Sequence, residues 1–409
     1  MDERALDFVK KSKLHFEQQS AEYASFRPRF VFDELKKERR LSILHGLRGS
    51  GKTTLLFQLY LASPQKQRIY MHAQEIALVG IPLLDVVEAA AYLFGNDARL
   101  FIDEINPLEK WADAIKIAYD KYPNMRFCIS GSSSINLLDS KAILARRAGY
   151  MQINPLSFRE YIWLRYGIML EPLKLGDDPL TACIRYDLYL GEKMPKRNMV
   201  DLFSEYVENN LAYLLGDDGG SLMDLVQKAI FHDIFKTGKF DSSTLGKFER
   251  LILLLSASNQ VTYDNISKDL GVAKSQVSLM LDFLERAGLV VRVFPAIGGK
   301  AASRKEWKYF FTVPQVRKLY AQNLQVPPSR TEGYMLEDIF ASNFNGIFFD
   351  DVDFVWGEWI LELGSYSKGV SQLKEMNTKK KRAVLYKGVD IRKEEGVLKI
   401  PLHIFFCVN

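Results

Sequence analysis

The sequence predicts an α/β protein whose N-terminal part is a mostly parallel β-sheet covered by helices on both faces. Three observations predict it. Five short apolar runs alternate with helix-length segments between 41 and 156. The first run leads directly into a glycine-rich turn, and residues 251–295 have the rhythm of a helix-turn-helix. Alternating strands and helices are typical of parallel sheets, because each crossover needs a connecting helix.

The predicted elements follow in chain order. Residues 1–40 mix charged and apolar positions at helical spacing, and a helix is expected to start at Gly51. The predicted strands are 41–45, 68–73, 99–105, 126–133 and 150–156, with a further helix over 83–95. Beyond them we predict a helical region over 157–250, the helix-turn-helix, a wing or linker over 298–308, a helix over 334–344 and a strand-rich stretch from 309 to the end.

Composition excludes several classes of protein. The 409 residues are 47% hydrophobic and 26% charged, which is ordinary for globular domains, and the length favours two or three of them. The formal net charge of +5 permits contact with nucleic acid without requiring it. Three cysteines lie far apart, at Cys128, Cys183 and Cys407. Neither a zinc site nor a disulfide framework is therefore expected.

Targeting and membrane segments are not expected either. The first residues have no apolar core of signal-peptide length. The most apolar stretch, 77–95, is interrupted by Asp85 and Glu88, so it does not predict a membrane span. We expect a cytoplasmic protein with no membrane partner.

The stretch "GLRGSGKTTLL" matches the phosphate-loop pattern, in which a Gly and four further residues precede Gly-Lys-Thr. Backbone N–H groups of such a turn, at the start of a helix, surround phosphate oxygens. Lys52 is expected to reach the β and γ phosphates, and the Thr53 hydroxyl to bind Mg²⁺. The predicted nucleotide-binding residues are Gly46, Gly49, Ser50, Gly51, Lys52, Thr53 and Thr54.

Two carboxylates complete the predicted site. Asp103 and Glu104 end the apolar run "LFIDEI". A carboxylate at the end of a buried strand is costly unless it meets a metal or another partner, so Asp103 is the predicted Mg²⁺ holder. Glu104 is the predicted general base that polarises the attacking water, with a solvated strand-end residue as the alternative.

Further polar residues are candidates for the same reaction. In "ISGSSS" at the end of the fourth strand, Ser132 is preferred over Ser130 and Ser133 for orienting the water, against a simple serine-rich turn. Arg146 and Arg147 are candidates for stabilising charge on the γ phosphate, in cis or in trans, or else form a solvated face. The chain has no Asn-Lys-x-Asp motif for reading guanine, which favours ATP over GTP.

The helix-turn-helix has Ile266 and Leu270 on the inner face of its first helix, a turn at Gly271, and Val277, Leu281 and Leu284 on the inner face of its second. If it binds DNA, the exposed residues of the second helix enter the major groove. Those residues are Lys274, Ser275, Gln276 and Ser278, with Lys300, Arg304 and Lys305 added from the wing. The alternative is a lid within the chain or a protein-contact module.

The C-terminal stretch carries a pattern of carboxylates. Glu337 lies in a predicted helix, Asp353 on a strand, and Glu362 on the next strand. This order is typical of a nuclease-type metal site, in which carboxylates hold Mg²⁺ and a lysine stabilises the scissile phosphate. The lysine position is occupied by Gly364, and Lys368 lies four residues further on. Either cleavage or a catalytically inactive module that touches DNA is consistent with this, and the basic run 379–382 fits a phosphate-contacting surface or a solvated turn.

Together these residues resemble a known group. The segments "GLRGSGKTTLL", "LFIDEI", "ISGSSS" and "INPLSFREY" and the C-terminal carboxylates are similar to the prokaryotic, largely archaeal, AAA-like ATPases related to the STAND class. The resemblance covers nearly the whole chain. It implies a P-loop NTPase core with a helical lid, a winged helix-turn-helix and an α/β restriction-endonuclease-like C-terminal domain. The implied parts are 1–165, 166–250, 251–308 and 309–409.

The sequence therefore favours an ATP-hydrolysing molecular switch that uses ATP and Mg²⁺ and contacts DNA through the winged helix and the C-terminal domain. The first alternative is an ATP-controlled signalling switch that acts on a protein partner without DNA. An ATP-dependent nuclease and a kinase are further alternatives. Whether the chain forms a homo-oligomer stays open.

Overall fold

A computed structural model describes residues 2–37, 39–131, 140–215, 222–234, 242–259, 262–296, 307–349, 351–376 and 378–408. The chain divides into two compact units, Met1–Asn154 and Pro155–Asn409. The first unit contains the predicted parallel sheet. The second contains the helical region, the helix-turn-helix and the C-terminal strands.

The first unit alternates strands and helices. Its strands are β1 (Leu41–His45), β2 (Arg68–His72), β3 (Arg99–Asp103), β4 (Arg126–Gly131) and β5 (Gly149–Gln152). Its helices are α1 (Glu3–Ala24), α2 (Phe32–Leu35), α3 (Lys52–Leu61), α4 (Ala73–Val79), α5 (Leu83–Phe94) and α6 (Trp111–Lys121). The first four predicted strands are confirmed to within two residues.

All five strands are parallel, in the order β2-β3-β4-β1-β5. The carboxyl ends of β1 and β3 therefore lie at one edge, with β4 between them. One apolar core includes residues of α5 and α6, and a second, separate core includes residues of α3. The strands β1, β3 and β4 are largely buried. A polar side chain at the end of one of them is therefore held in place by a strand inside the core.

The second unit begins with helices. They are α7 (Phe158–Tyr166), α8 (Pro179–Lys193), α9 (Met199–Glu208), α10 (Leu222–Lys228) and α11 (Ser242–Ala257). A 3-10 turn, Ala212–Leu215, and a π-helical stretch, Ala229–Ile234, lie between them. The helical character predicted for 157–250 is confirmed in the ranges that the structure describes.

The helix-turn-helix consists of α12 (Tyr263–Leu270) and α13 (Lys274–Arg286), followed by the antiparallel strands β6 (Val290–Pro295) and β7 (Lys308–Phe311). Gly271 makes the turn with φ at 61°, a left-handed conformation that glycine adopts without strain. The five inner-face residues predicted from the sequence are all buried.

The remaining elements are α14 (Pro314–Asn323), α15 (Pro328–Asn343), β8 (Ile347–Phe349), β9 (Phe354–Trp356), β10 (Trp359–Gly364), α16 (Ser371–Lys374), β11 (Lys381–Tyr386), β12 (Arg392–Glu394), β13 (Val397–Pro401), α17 (Leu402–Phe405) and a final 3-10 turn, Phe406–Val408. The strands form one mixed sheet in the order β12-β13-β11-β10-β9-β8-β6-β7. The end of β6 pairs in parallel with β8, so the helix-turn-helix hairpin and the C-terminal strands share this sheet.

Two details of the sequence prediction are wrong. The fifth strand ends at Gln152 rather than 156, and α7 begins after Ser157, which caps it by accepting a hydrogen bond from the Glu160 N–H. The stretch from 309 contains strands and a helix, α15, at the predicted helix 334–344, but also the helix α14 after β7, which was not predicted. Pro314 at the first turn of α14 is a helix-start signal that the prediction passed over.

The structure also bears on membranes. Among the described helices, none has by itself the length and apolarity needed to cross a bilayer, and the pair α4 and α5 meets that test only jointly, across a bend of 109°.

Candidate active site

The loop between β1 and α3, residues 46–53 and called the phosphate loop below, depends on three glycines. Gly46, Gly49 and Gly51 have φ values of 148°, 78° and 88°, all in the region that favours glycine. A Cβ on Gly46 would lie 2.4 Å from the carbonyl oxygen of Ile153. The first glycine is therefore needed because the backbone after β5 passes against it.

Lys52 begins α3 and is buried, with its ammonium donating to the carbonyl oxygens of Gly46 at 3.0 Å and Leu47 at 2.9 Å. Its charge thus lies inside the phosphate loop. The Ser50 hydroxyl is fully buried there without a hydrogen-bond partner. A buried orphan hydroxyl beside a lysine and a helix N-terminus fits a phosphate oxygen.

Two further predicted nucleotide-binding residues, Thr53 and Thr54, lie in the first turn of α3. Thr53 is exposed and Thr54 is half-buried. Arg29 donates from Nη1 to the carbonyl oxygen of Ser50 at 2.6 Å and to that of Asn154 at 2.9 Å. Arg29 was not predicted, and it ties the phosphate loop to the chain that follows β5.

Asp103 is the last residue of β3 and is buried. Its Oδ2 accepts a hydrogen bond from the Tyr70 hydroxyl at 2.9 Å and lies 3.6 Å from Nδ1 of His72. Its Oδ1 accepts from the Ser130 hydroxyl and, at 3.1 Å, from the Glu104 N–H. Burial, followed by the charge of Asp103, raises the pKa of Tyr70, so the phenol stays protonated and donates. The carboxylate is therefore oriented by side chains from β2 and β4.

Glu104 has φ at 52°, a conformation that residues other than Gly, Asn and Asp seldom adopt. Its N–H donates to the Ser130 hydroxyl at 3.1 Å as well as to Asp103. Its Oε1 lies 3.4 Å from Nη2 of Arg48 and 3.5 Å from Nδ2 of Asn106. The strained backbone turns the Glu104 side chain toward the phosphate loop, which supplies Arg48. Such strain is characteristic of functional sites.

The other residues predicted to take part in the reaction are the serines at the end of β4 and the arginines before β5. Ser132 lies outside the described residues, whereas Ser130, which we ranked below it, contacts both carboxylate residues. Arg147 precedes β5 and forms a two-bond ion pair with Asp120, at 2.9 and 3.0 Å, near the end of α6. Both positions lie at the amino edge of a parallel sheet, so Arg147 is at the opposite edge from the phosphate loop of its own chain. Arg146, three residues before β5, is exposed with φ at 68°.

Sequence reasoning missed Tyr70, His72 and Arg48. His72 and Asp103 are direct neighbours in the β2–β3 register. In the structure β2 ends at His72 and β3 at Asp103, whereas the predicted strands continued to 73 and 105, so the sequence prediction did not indicate this pair. Arg48 occupies a variable position of the loop pattern, so the sequence offered no comparable signal for it.

In the second unit, the four α13 residues named for DNA contact lie on its outer face. Lys274, Ser275 and Ser278 are exposed and Gln276 is half-buried. Lys274 forms an ion pair with Asp264 of α12. The wing residues Lys300, Arg304 and Lys305 lie outside the described residues. Of the basic run 379–382, Lys380 donates to the carbonyl oxygen of Gly357 at 2.8 Å and is exposed.

The C-terminal carboxylates come together. The Asp353 N–H donates to Oε1 of Glu362 at 3.2 Å, and the Leu363 N–H donates to Oδ2 of Asp353 at 2.8 Å. Lys368 places its ammonium 2.6 Å from Oε2 of Glu362. A Cβ on Gly364 would lie 2.6 Å from Cβ of Lys368, so the missing side chain at Gly364 leaves the room that Lys368 fills.

Glu337 on α15 belongs to the same cluster. Burial raises its pKa and the charge of Asp353 adds to that shift, while Asn259 donates to its Oε2 at 2.9 Å. Burial and Asp353 likewise raise the pKa of Glu362. Within the ranges that the structure describes, no three His, Cys, Asp or Glu side chains are arranged to hold one metal ion. The cluster therefore has the predicted residues without a three-ligand metal geometry.

Comparison with known protein families supports the first unit's fold. A family model described as an AAA domain matches residues 38–162, which contain the phosphate loop, β1 to β5 and both carboxylates. The match agrees with the parallel sheet and the loop geometry, and the first unit has the fold of an AAA-like P-loop NTPase core.

Two relatives from Methanocaldococcus jannaschii are similar in sequence, and both are described as uncharacterized proteins. MJ1637 is 28% identical over 352 residues, which are 78% of this chain and 72% of the relative. MJ1544 is 29% identical over 127 residues, which are 30% of this chain and 28% of the relative.

Among solved structures, the Walker-type ATPase PABY2304 of Pyrococcus abyssi is 14% identical with a TM-score of 0.43, covering 71% of this chain and 93% of that one. The Orc1 protein of Aeropyrum pernix, solved in complex with DNA, is 11% identical with a TM-score of 0.31, covering 72% and 93%.

Proposed function

We propose that this protein is an ATP-hydrolysing molecular switch. The observation that carries the proposal is the Glu104 backbone, held in a left-handed conformation directly after the buried Asp103 and beside the phosphate loop. Strain of about 1–3 kcal/mol at one residue persists where the surrounding structure maintains it, as at catalytic carboxylates. No such conformation is needed for a strand-end glutamate that only faces solvent.

The phosphate loop supplies the binding groups. Its backbone N–H groups and the Ser50 hydroxyl bind phosphate oxygens, and Lys52 neutralises charge on the β and γ phosphates. Thr53 and Asp103 are the residues that would hold Mg²⁺, which supplies charge neutralisation on the transferred phosphate when bound. Because Tyr70 and Ser130 already orient Asp103, its carboxylate needs little rearrangement on binding.

Glu104 acts as the general base. Its carboxylate accepts a proton from a water molecule placed between it and the phosphate loop. Arg48 and Asn106 hold Oε1 in the structure, at 3.4 and 3.5 Å, so they position the carboxylate. The adenine preference rests on the missing guanine-reading motif in the sequence.

DNA is the proposed partner of the second unit. Support comes from the exposed face of α13, where Lys274, Ser275 and Ser278 are open to solvent at the positions that enter a major groove in DNA-binding helix-turn-helix proteins. ATP turnover would then be coupled to DNA contact. The four-part division of the chain and an arginine supplied in trans by Arg146 or Arg147 remain parts of this proposal.

The deciding experiment measures ATP turnover with and without duplex DNA. We expect Glu104→Gln to lower turnover at least a hundredfold while nucleotide binding persists, and Lys52→Ala to lose binding. Glu109→Gln is the matched control, because it removes an exposed carboxylate from the same unit. Equal turnover in Glu104→Gln and the wild-type protein would sink the proposal. Turnover that is indifferent to DNA, with no DNA binding at low salt, would favour the protein-partner switch.

A nuclease is the second candidate, and the position of Lys368 favours it. Its ammonium pairs with Glu362 from the space above Gly364, which places a lysine beside the carboxylates even though the usual lysine position is a glycine. If the cluster cleaves DNA, supercoiled plasmid is nicked in the presence of Mg²⁺ or Mn²⁺. We expect Glu362→Gln and Lys368→Ala to abolish nicking and Lys374→Ala, an exposed neighbour, to leave it intact. Plasmid that stays intact with the wild-type protein excludes this candidate.

A further inference from the structure

Arginines line the amino ends of the strands in the first sheet. Arg68, Arg99 and Arg126 are the first residues of β2, β3 and β4. They are also direct partners in the register, Arg68 with Arg99 and Arg99 with Arg126. Paired residues of parallel strands point to the same face, so three guanidinium groups follow one another across the sheet.

The row continues over the other two strands. Arg40 directly precedes β1, at the level of Arg126. β5 begins at Gly149, and a Cβ there would lie 2.4 Å from Cδ of Arg39. Arg39 thus lies across the start of β5. With neighbouring strands about 4.8 Å apart, the five-strand row, called the arginine edge below, is about 19 Å long.

Two members of the arginine edge are fixed by backbone carbonyls. Nη1 of Arg68 donates to Leu61 at 2.8 Å and so caps the end of α3. Arg40 donates from Nη2 to Tyr122 at 2.6 Å and from Nε to Met125 at 3.2 Å. These bonds hold the positive charges in place rather than neutralising them, because a carbonyl oxygen carries no net charge.

Arg99 and Arg126 line two cavities of the first unit. One, of about 80 Å³, is also lined by Lys36, Arg39, Ser42 and Ser63. The other, of about 400 Å³, is also lined by Arg40, Gln67, Asn124 and Asp97. Among the lining residues that the structure describes, Asp97 contributes the one carboxylate, and it accepts a hydrogen bond from Gln67.

Arg99 and Arg126 have interactions within the protein, and the planar fork of N–H donors on a guanidinium matches the oxygens of a phosphate. A row that spans the whole sheet fits a linear polyanion better than a single phosphate. We propose that the arginine edge binds the phosphodiester backbone of a nucleic acid strand without reading its sequence. This surface is separate from the phosphate loop, which lies at the opposite edge of the sheet, and from α13.

The test uses the full chain and fluorescein-labelled 30-nucleotide DNA, single-stranded and duplex, with anisotropy measured over a series of salt concentrations. The probe variant is Arg99→Gln with Arg126→Gln. The control is Lys10→Gln with Lys116→Gln, which removes the same charge from exposed helix positions of the same unit. We expect the probe variant to bind roughly tenfold more weakly at low salt. The slope of log K against log salt should fall by about 1.4 for single strands or about 1.8 for duplex, and the control should change neither.

The DNA form whose binding is weakened in the probe variant shows whether the bound backbone belongs to a single strand or to a duplex. Equal binding by the probe and control variants, in both DNA forms, overturns the proposal. So does competition by inorganic phosphate at stoichiometric concentration, which would indicate a site for a small anion. Thermal unfolding and ATP turnover of the probe variant check that the fold is intact. A Lys274→Gln variant measures DNA binding by α13 separately. If the protein has no ATP turnover, or α13 binds no DNA, the comparison of probe and control variants still tests the arginine edge.

Discussion

At the residue scale, single backbone conformations place the chemistry. Gly46 is fixed by the carbonyl of Ile153 at 2.4 Å from its would-be Cβ, and Glu104 by hydrogen bonds from its N–H to Asp103 and Ser130. The first could be expected from the loop pattern, which requires glycine there. The second could not, because nothing in "LFIDEI" indicates a positive φ at the glutamate.

Gly46→Ala is expected to impair nucleotide binding, because the new methyl group would force the loop away from β5. We expect at least tenfold weaker binding of a fluorescent ATP analogue and a loss of about 1–3 kcal/mol in the free energy of unfolding. Gly80→Ala is the matched control, since Gly80 also has a positive φ, 68°, but its would-be Cβ meets nothing within 4 Å. If both variants bind the analogue equally well, close approach is not the reason for glycine at 46.

At the element scale, helix caps decide where strands stop and helices start. "INPLSFREY" was used as a family signature, and its physical content is a capping box in which Ser157 accepts from the Glu160 N–H at 3.3 Å. That box begins α7, which follows shortly after the end of β5 at Gln152. The signals for α14 and α7 were both present in the sequence. They were outweighed by the apolar, β-branched character of the flanking residues.

Ser157→Ala should destabilise the protein by about 1 kcal/mol, the usual cost of losing a side-chain cap. Chemical denaturation followed by circular dichroism measures it. Ser342→Ala is the comparison, because the Ser342 hydroxyl donates to a carbonyl of its own helix, at Ile339, rather than capping one. A loss in Ser342→Ala as large as that in Ser157→Ala would contradict the capping role.

At the scale of the whole molecule, a buried ionic network joins distant parts of the second unit. Arg317 is fully buried and donates to Asp338 from Nε at 2.5 Å and from Nη2 at 2.8 Å. It also donates to the carbonyl of Leu255 at 2.7 Å and to Oδ1 of Asn259. Through Asn259 the network reaches Glu337. The end of α11 is thereby connected to α14, α15 and the carboxylate cluster.

Arg317→Met is expected to cost about 3–5 kcal/mol, because it leaves the Asp338 charge buried without its partner. Combining it with Asp338→Leu should cost less than the two single changes together, since the uncompensated charge is then gone. Denaturant unfolding measures all three, and Arg330→Met, at an exposed position, is the control. Strict additivity of the two single changes would show that the ion pair is not a coupled unit.

His403 should contribute a loss of stability of the second unit in acid, which the raised pKa values of Glu337 and Glu362 oppose over the same pH range. Burial lowers the pKa of His403 from 6.5 to about 4, so the folded state resists protonation that the unfolded chain accepts. The contribution of His403 to stability is fully present above pH 6.5 and is lost as the pH falls toward 4, because the unfolded chain then binds a proton that the folded state does not. The loss is about 1.4 kcal/mol per pH unit, or about 3 kcal/mol in all. The free energy of unfolding of the wild-type protein minus that of His403→Phe should fall by this amount from pH 6.5 to 4, and a difference that does not change with pH would contradict the assignment.

The sequence by itself determined the periodic and local features of this protein. Strand and helix alternation, the phosphate loop, the paired carboxylates and the inner face of the helix-turn-helix all depend on residues within one or two turns of each other, where sequence spacing is a direct guide to position. Tertiary structure decided the rest. The contacts of Asp103 with Tyr70 and Ser130, the placement of Arg147 at the far edge and the arginine edge all depend on which strands are neighbours. Strand order comes from packing the whole sheet, and spacing along the chain does not encode it.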